Sequence, residues 1–294
     1  MDERDWIVLQ TLYKEKNITK AAQNLYISQP ALTNRLQQLE KEFNVKIVNR
    51  GRRGVQFTPQ GEYLAKCAHE VLLSLQKIKE NVLNMEDNIE GTLRLGVSTF
   101  FTDYMLPDLL KLFKEKYPNI EFKVTTNFSS HIAHLIHNQD VHIGIVRGDY
   151  SWKDKKQLLF EETICIASKE KIELQDLPYL PRIDYHTDLL LKNSIDNWWS
   201  ENFTQPPHVS IEVDKADTCK KMVLNGLGYA ILPSMLLNDI DDIYKIDIKT
   251  IDGNPLIRKT WMLYHEESLK LNIVKAFVDF IEDANLKDSL NNLK

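Results

Sequence analysis

The sequence predicts an α/β chain in two parts: a small N-terminal winged helix-turn-helix and, beyond a long connecting helix, a larger domain of alternating strands and helices. Three observations predict it. Residues 1–60 hold three helical apolar periods followed by a glycine-flanked basic turn. One uninterrupted helical repeat then runs from Thr58 toward Met85, and from Gly91 onward apolar runs alternate with helical periods. At 294 residues the chain is also longer than one compact domain usually is.

The elements follow in order. From Asp5 to Tyr13 apolar residues recur at helical spacing, with Trp6, Leu9 and Tyr13 on one side and Leu12 beside them. Asn17-Ile18-Thr19 breaks the pattern, and Thr19 reads as the N-cap of a short helix through Ala21, Ala22 and Leu25. Ser28-Gln29-Pro30 reads as a cap followed by proline in the first turn, launching a third helix whose apolar stripe is Leu32, Leu36, Leu39 and Phe43. That stripe leaves Gln29, Thr33, Asn34 and Gln37 facing outward, a polar set able to donate to and accept from base edges. Lys46-Ile47-Val48 and Val55-Gln56-Phe57 are strand candidates around a wing that carries Arg50, Arg52 and Arg53. Arginines there can neutralise phosphates beside the groove that the third helix occupies, adding affinity without reading sequence. A solvated basic hairpin is the plain alternative.

The overall charge of −5 argues against nucleic acid until it is divided. Residues 1–60 carry ten basic and six acidic side chains, while the remainder carries 27 and 36, so the basic footprint sits at the N-terminus.

The run Ile18-Thr19-Lys20-Ala21-Ala22, then Leu25-Tyr26-Ile27-Ser28-Gln29-Pro30-Ala31-Leu32-Thr33, Leu39-Glu40 and Phe57-Thr58-Pro59-Gln60-Gly61 resembles LysR-type transcriptional regulators. The resemblance extends through the whole chain. It implies that Gln29, Pro30, Thr33 and Asn34 lie near bases of double-stranded DNA and that Arg50 and Arg53 belong to the wing. After the Thr58-Pro59 cap, Tyr63, Leu64, Ala68, Val71, Leu72, Leu75, Ile78, Val82 and Met85 continue the apolar seam of a helix long enough to pair with a second copy. LysR-type proteins pair their linker helices antiparallel, which implies a homo-oligomer, a dimer through this helix and a tetramer by family resemblance. The expected units are 1–58 for DNA binding, 59–88 for the linker and 91–294 for the effector domain.

In that last part, Leu93 to Val97, Asp103 to Tyr117, Glu121 to Thr125, His131 to Asn138 and His142 to Val146 give a β-α-β-α-β order and predict a mostly parallel sheet. Ligands of such sheets lie beyond the carboxyl ends of the strands. Those ends carry Ser98-Thr99-Phe100, Ser129-Ser130 and Arg147, and hydroxyls with a converging arginine favour a small anion such as a carboxylate. Each serine could equally cap its own helix. A second half begins near Thr163, with Thr218 and Arg258 as its contributions. Resemblance implies two subdomains like those of periplasmic binding proteins, about 91–162 with 265–294 and about 163–264, with the ligand between them. The Arg147-Gly148 and Pro255 to Thr260 stretches further resemble a citrate-responsive catabolite-control branch of low-GC Gram-positive bacteria, which implies that Ser98, Phe100, Ser129, Ser130, Arg147 and Arg258 surround a tricarboxylate or a related acid.

Other classes find less support. No apolar run approaches the ~20 residues of a membrane span, and the acidic start Met1-Asp2-Glu3-Arg4-Asp5-Trp6 lacks a secretory pattern, so a cytoplasmic protein is expected rather than an exported solute-binding one. Cys67, Cys165 and Cys219 have no paired spacing, and His131, His134 and His137 lack a completing acid or thiol, so no metal is expected. Gly226-Leu227-Gly228 lacks the third glycine of a dinucleotide loop, and neither a Gly-x-Ser-x-Gly elbow nor a His-Glu-x-x-His pair is present. No cofactor is implied, and an enzyme with a DNA-binding appendage remains only as the rival class. Trp198-Trp199 reads as packing with a partly exposed ring.

Overall fold

A computed structural model describes residues 1–51, 54–83, 89–238 and 240–283. The chain divides into two compact units, Met1–Glu86 and Asp87–Lys294.

In the first unit, α1 (Glu3–Glu15), α2 (Ile18–Asn24) and α3 (Gln29–Phe43) precede a hairpin of β1 (Val48–Gly51) and β2 (Gly54–Phe57), and α4 (Pro59–Leu83) follows. Asp2 caps α1 in a reciprocal box with Asp5. The buried face of α1 is Val8, Leu9 and Leu12, whereas Tyr13 is exposed and meets Phe57 edge-on at 5.0 Å. The cap of α2 is Asn17, whose side chain accepts from Lys20 N at 3.0 Å. Thr19 therefore lies inside the helix and is not its cap; extended Asn17, with φ −149°, places a side-chain oxygen over the open N–H groups two residues earlier. Ser28 does cap α3, accepting from Ala31 N at 3.3 Å, and Leu32, Leu36 and Leu39 are buried while Phe43 stays exposed. These leucines close the core with Ala21, Ala22 and Ile47.

The hairpin pairs Val48 with Phe57 through Gly51 with Gly54, so β1 starts two residues later than Lys46. Its base is tied to the end of α1, because Val55 N donates to Lys16 O at 3.0 Å. Gly54 has φ +109°, and a Cβ there would sit 2.8 Å from that same oxygen, so the close approach requires glycine. Arg52 and Arg53 of the expected wing, and Met85 with the expected end of the connecting helix, lie outside the described residues.

The second unit runs β3 (Gly91–Ser98), α5 (Thr99–Tyr104), α6 (Leu106–Lys116), β4 (Ile120–Asn127), α7 (Ser129–His137), β5 (Ile143–Arg147), β6 (Lys155–Ser168), β7 (Arg182–Tyr185), α8 (Leu189–Asn202), β8 (Val209–Val213), α9 (Ala216–Leu224), β9 (Ala230–Pro233), β10 (Tyr244–Asp247), β11 (Ile257–Tyr264) and α10 (Asn272–Asp283). The main sheet has the order β10-β6-β11-β5-β3-β4, with β9 also on β6, and β7 pairs β8 separately. β3 is parallel to β4 and β5, but β11 is antiparallel to both β5 and β6, so the sheet is mixed rather than mostly parallel. The difference has one source, the 14-residue β6. Its first part, Lys155–Thr163, pairs β11, and its end pairs β9 and β10, so one strand serves both halves of the unit.

Each half keeps its own core. Leu93, Leu95 and Val97 pack with Phe113 and Phe277 in one, while Ile164, Ile166, Trp198, Trp199 and Tyr229 pack in the other. Trp198 and Trp199 are both buried, with neither ring partly exposed, because each indole N–H finds a backbone partner, Lys249 O at 3.0 Å and Gln205 O at 2.8 Å. The single helix expected over 103–117 is two, broken at Met105, where φ −134° is incompatible with helix. Residues 284–294 of the expected effector domain lie outside the described residues.

Candidate functional site

Two surfaces collect the predicted residues. On the first unit, Gln29, Pro30, Asn34 and Gln37 are exposed along α3 and Thr33 is half-buried, so one face of this helix offers amide and hydroxyl groups without a competing carboxylate. Thr19 Oγ1 lies 3.5 Å from Gln29 Oε1, linking α2 to the start of that face. Arg35 turns away from it: its guanidinium bonds Asp5 at 2.5 Å and Asp2 at 2.7 Å, clamping α3 onto the start of α1. Arg50 lies on β1 opposite Val55. Tyr26 was not singled out by sequence, yet it stands 97% exposed at the α2–α3 turn with φ +53°. A tyrosine in a left-handed turn carries no pattern that a linear reading detects.

In the second unit a cavity of about 390 Å³ opens between the two halves. It brings together Ser98, Thr99, Phe100, Ser129, Arg147 and Arg258 from distant strand ends, whereas Ser130 and Thr218 are not on its wall. Ser130 follows Ser129 in the first turn of α7, and Thr218 lies on α9 just past Ala216 and Asp217, which do line the cavity.

The geometry follows from the strands. Ser129, at the start of α7, accepts from Arg147 N at 2.9 Å, which ties the ends of β4 and β5 together. The Arg147 guanidinium lies 3.7 Å from the Phe100 ring centroid and pairs with Glu162 of β6. Arg258 of β11 pairs with Asp188, which also caps α8 by accepting from Leu191 N at 3.1 Å. Both pairs are almost wholly buried. Burial, with the charge of Arg258 second, pushes the Arg147 guanidinium well below its ordinary value. Tyr185, from β7, is pushed up to about 12 by burial.

Ser98 Oγ, Arg147 Nε and the Tyr185 hydroxyl are buried on this wall without a hydrogen-bond partner. Buried donors of this kind cost free energy until something accepts from them. Across the mouth, the Tyr104 hydroxyl reaches Asp217 of α9, and Lys220 Nζ donates to Tyr104 at 3.2 Å, joining the two halves. Sequence reading missed Glu162, Tyr185 and Asp188. Asp188 carried a usable signal, an Asp directly before a helical period, but the other two did not. Among the described residues no group of three side chains is placed to hold a metal ion, and no helix is long and apolar enough to cross a membrane.

The chain matches the models of the bacterial regulatory helix-turn-helix protein, lysR family, over residues 4–62 and of the LysR substrate binding domain over residues 86–285. It is 40% identical over 282 residues to the uncharacterized HTH-type transcriptional regulator YraN of Bacillus subtilis (strain 168), covering 96% of this chain and 98% of that one. It is 38% identical over 278 residues to the uncharacterized HTH-type transcriptional regulator YkuM of the same organism, covering 94% and 95%. Among solved structures its fold is similar to the full-length virulence activator AphB of Vibrio cholerae, with a TM-score of 0.61 at 16% identity over 96% of this chain and 99% of that one. Full-length CbnR complexed with its target DNA is similar at a TM-score of 0.66 and 17% identity, over 97% and 100%. The family and these relatives are transcriptional regulators, not enzymes, and this chain belongs with them: it is a LysR-type DNA-binding transcription regulator.

Proposed function

We propose that the protein binds its operator as a homo-oligomer, with Gln29, Pro30, Thr33 and Asn34 of each copy near base edges and Thr19, Ser28, Arg50, Arg52 and Arg53 steadying that approach, and that a small carboxylate, citrate or a related acid, sets its activity from the cavity of the second unit. The observation that carries the effector reading is the set of buried unpartnered donors that line one cavity, Ser98 Oγ and Arg147 Nε from one half and the Tyr185 hydroxyl from the other. Carboxylate oxygens satisfy such donors through charge-assisted bonds. Ser129, Phe100 and Arg258 hold the surrounding surface in place.

The effector acts by its differential affinity for two arrangements of the halves, which meet through Tyr104, Asp217 and Lys220. Calorimetric titration of the full-length protein with citrate and a panel of other small acids tests this, repeated with Arg147→Ala and Arg258→Ala. Saturable heat that disappears in the variants supports the carboxylate site; unchanged affinity in both removes it. An effector without a carboxylate is the second reading, favoured by Asp103, Asp214 and Asp217 on the same wall, and it predicts no heat with any acid of the panel. For the DNA face, an operator selected from random sequence is expected to lose about 1–3 kcal/mol of discrimination at one base pair in Gln29→Ala. Uniform weakening across all sequences would assign Gln29 to the backbone instead.

A further inference from the structure

Resting on the carboxylate reading, the charge arrangement of the cavity narrows the class of acid. Two arginines on a wall suggest a polyanion, but neither is free to take one. Arg147 is held by Glu162 and Arg258 by Asp188, and the four side chains are 4%, 1%, 9% and 4% exposed. A ligand carboxylate that displaced either acid would strand it, buried and unpaired, which is the costly outcome for an ion pair of this kind. The other lysine or arginine on the lining, Lys215, shares it with Asp103, Asp214 and Asp217. Asp103, Asp188, Asp214 and Asp217 line the cavity against Arg147, Lys215 and Arg258, so a second or third carboxylate meets more negative than positive charge there.

The cavity does offer three open hydrogen-bonding groups. Ser98 Oγ, Arg147 Nε and the Tyr185 hydroxyl are each without a partner, and Ser98 and Arg147 are both 4% exposed. Three donors suit the lone pairs of a single carboxylate group. Phe100, Tyr104, Phe128, Pro233 and Leu236 supply an apolar and aromatic part of the lining. Such a surface is matched by a hydrocarbon body and gives nothing to further charged oxygens.

We infer that Glu162 and Asp188 act as charge compensators that set the effector's valence, so that the cavity selects an acid with one carboxylate and an apolar or aromatic body over di- and tricarboxylates. Neither residue needs to touch the ligand. Each acts through the arginine it neutralises, as a specificity-determining positioning residue.

Calorimetric titration of the full-length protein at pH 7 with benzoate, 4-methylpentanoate, succinate and citrate tests the inference. At least one of the two monocarboxylates is expected to bind with a Kd about tenfold or more below those of succinate and citrate. Asp188→Asn keeps a side-chain oxygen for Leu191 N, since Asn caps helices as well as Asp does, while removing the charge. It is expected to close that gap by about tenfold, through tighter succinate and citrate binding, with the monocarboxylate Kd changed far less. Glu162→Gln makes the same change at the other arginine, so the prediction survives the failure of one variant to fold. Citrate or succinate binding the native protein more tightly than both monocarboxylates overturns the inference while leaving the carboxylate reading intact. So does an unchanged gap in the folded variants. Absence of binding by all four acids ends the carboxylate reading, and this inference with it.

Discussion

His142 is a group whose protonation the second unit resists. It is buried just before β5, where its Nδ1 accepts from Arg94 N at 3.2 Å, and burial with the nearby Arg94 charge pushes its pKa down to about 3. An unfolded histidine titrates near 6.5, so between these values the unfolded chain binds a proton that the native state excludes. Native stability is then fully present above about pH 6.5 and is lost as pH falls toward about 3. In the upper part of this window most carboxylates are still ionised, and the slope is expected to approach about 1.4 kcal/mol per pH unit. Urea melts at pH 7, 6 and 5 measure it, and His142→Gln is expected to flatten it; an equal slope in the variant would assign the effect elsewhere. His142 illustrates what the sequence conveyed at this scale and what it did not. It marked the start of a strand, and Ser98, Ser129 and Arg147 were legible because strand ends are local features. Glu162 and Asp188 took their roles from partners 15 and 70 residues away, and no local pattern encodes such a pairing.

Among the elements, α4 depends on its first turn. Thr58 Oγ1 donates to Lys46 O at 2.6 Å and accepts from Gly61 N at 3.0 Å, so one hydroxyl both starts the helix and fastens it to the segment that leads into β1. Gly61 allows this closeness, since a Cβ there would lie 2.0 Å from Ile47 O. Thr58→Ala is expected to cost about 1 kcal/mol of stability. Gly61→Ala should cost about 3 kcal/mol, because the obstruction is backbone and cannot swing aside. Thermal melts of the full-length variants rank the two, and a smaller loss at Gly61 than at Thr58 would contradict this packing. The Thr58-Pro59 signal was legible for the same physical reason that it works, a cap before a preorganised φ. The break at Met105 was not, because Leu106-Pro107 can open a helix as readily as interrupt a longer one. Nor was the antiparallel place of β11, since strand direction depends on the sheet that receives it and not on the eight residues of the strand.

At the scale of the whole molecule, charge and apolar surface are distributed to suit assembly on DNA. Ten of the 37 basic residues fall within 1–60 against six of the 42 acidic ones, so the attraction to phosphate is confined to one end of the sequence. Two copies bound together would neutralise twice as many phosphates as one and release twice as many counterions. The surface that suits the proposed pairing lies on α4. Leu64, Ala65 and Ala68 are buried within the first unit, whereas farther along Ile78 and Val82 are 58% and 57% exposed on the same helix. An apolar repeat that outlasts its own domain's core is matched by a second copy of the helix. The double variant Ile78→Glu, Val82→Glu is therefore expected to halve the particle mass in sedimentation equilibrium. It is also expected to reduce the slope of log K against log salt for DNA binding by about half, because each particle then neutralises half as many phosphates. The far-ultraviolet circular dichroism of the variant should match that of the native protein and so certify that it is folded. A variant that kept its mass but lost its affinity would move the pairing surface off α4, whereas one that halved in mass with an unchanged salt slope would mean that a single copy already makes all the phosphate contacts.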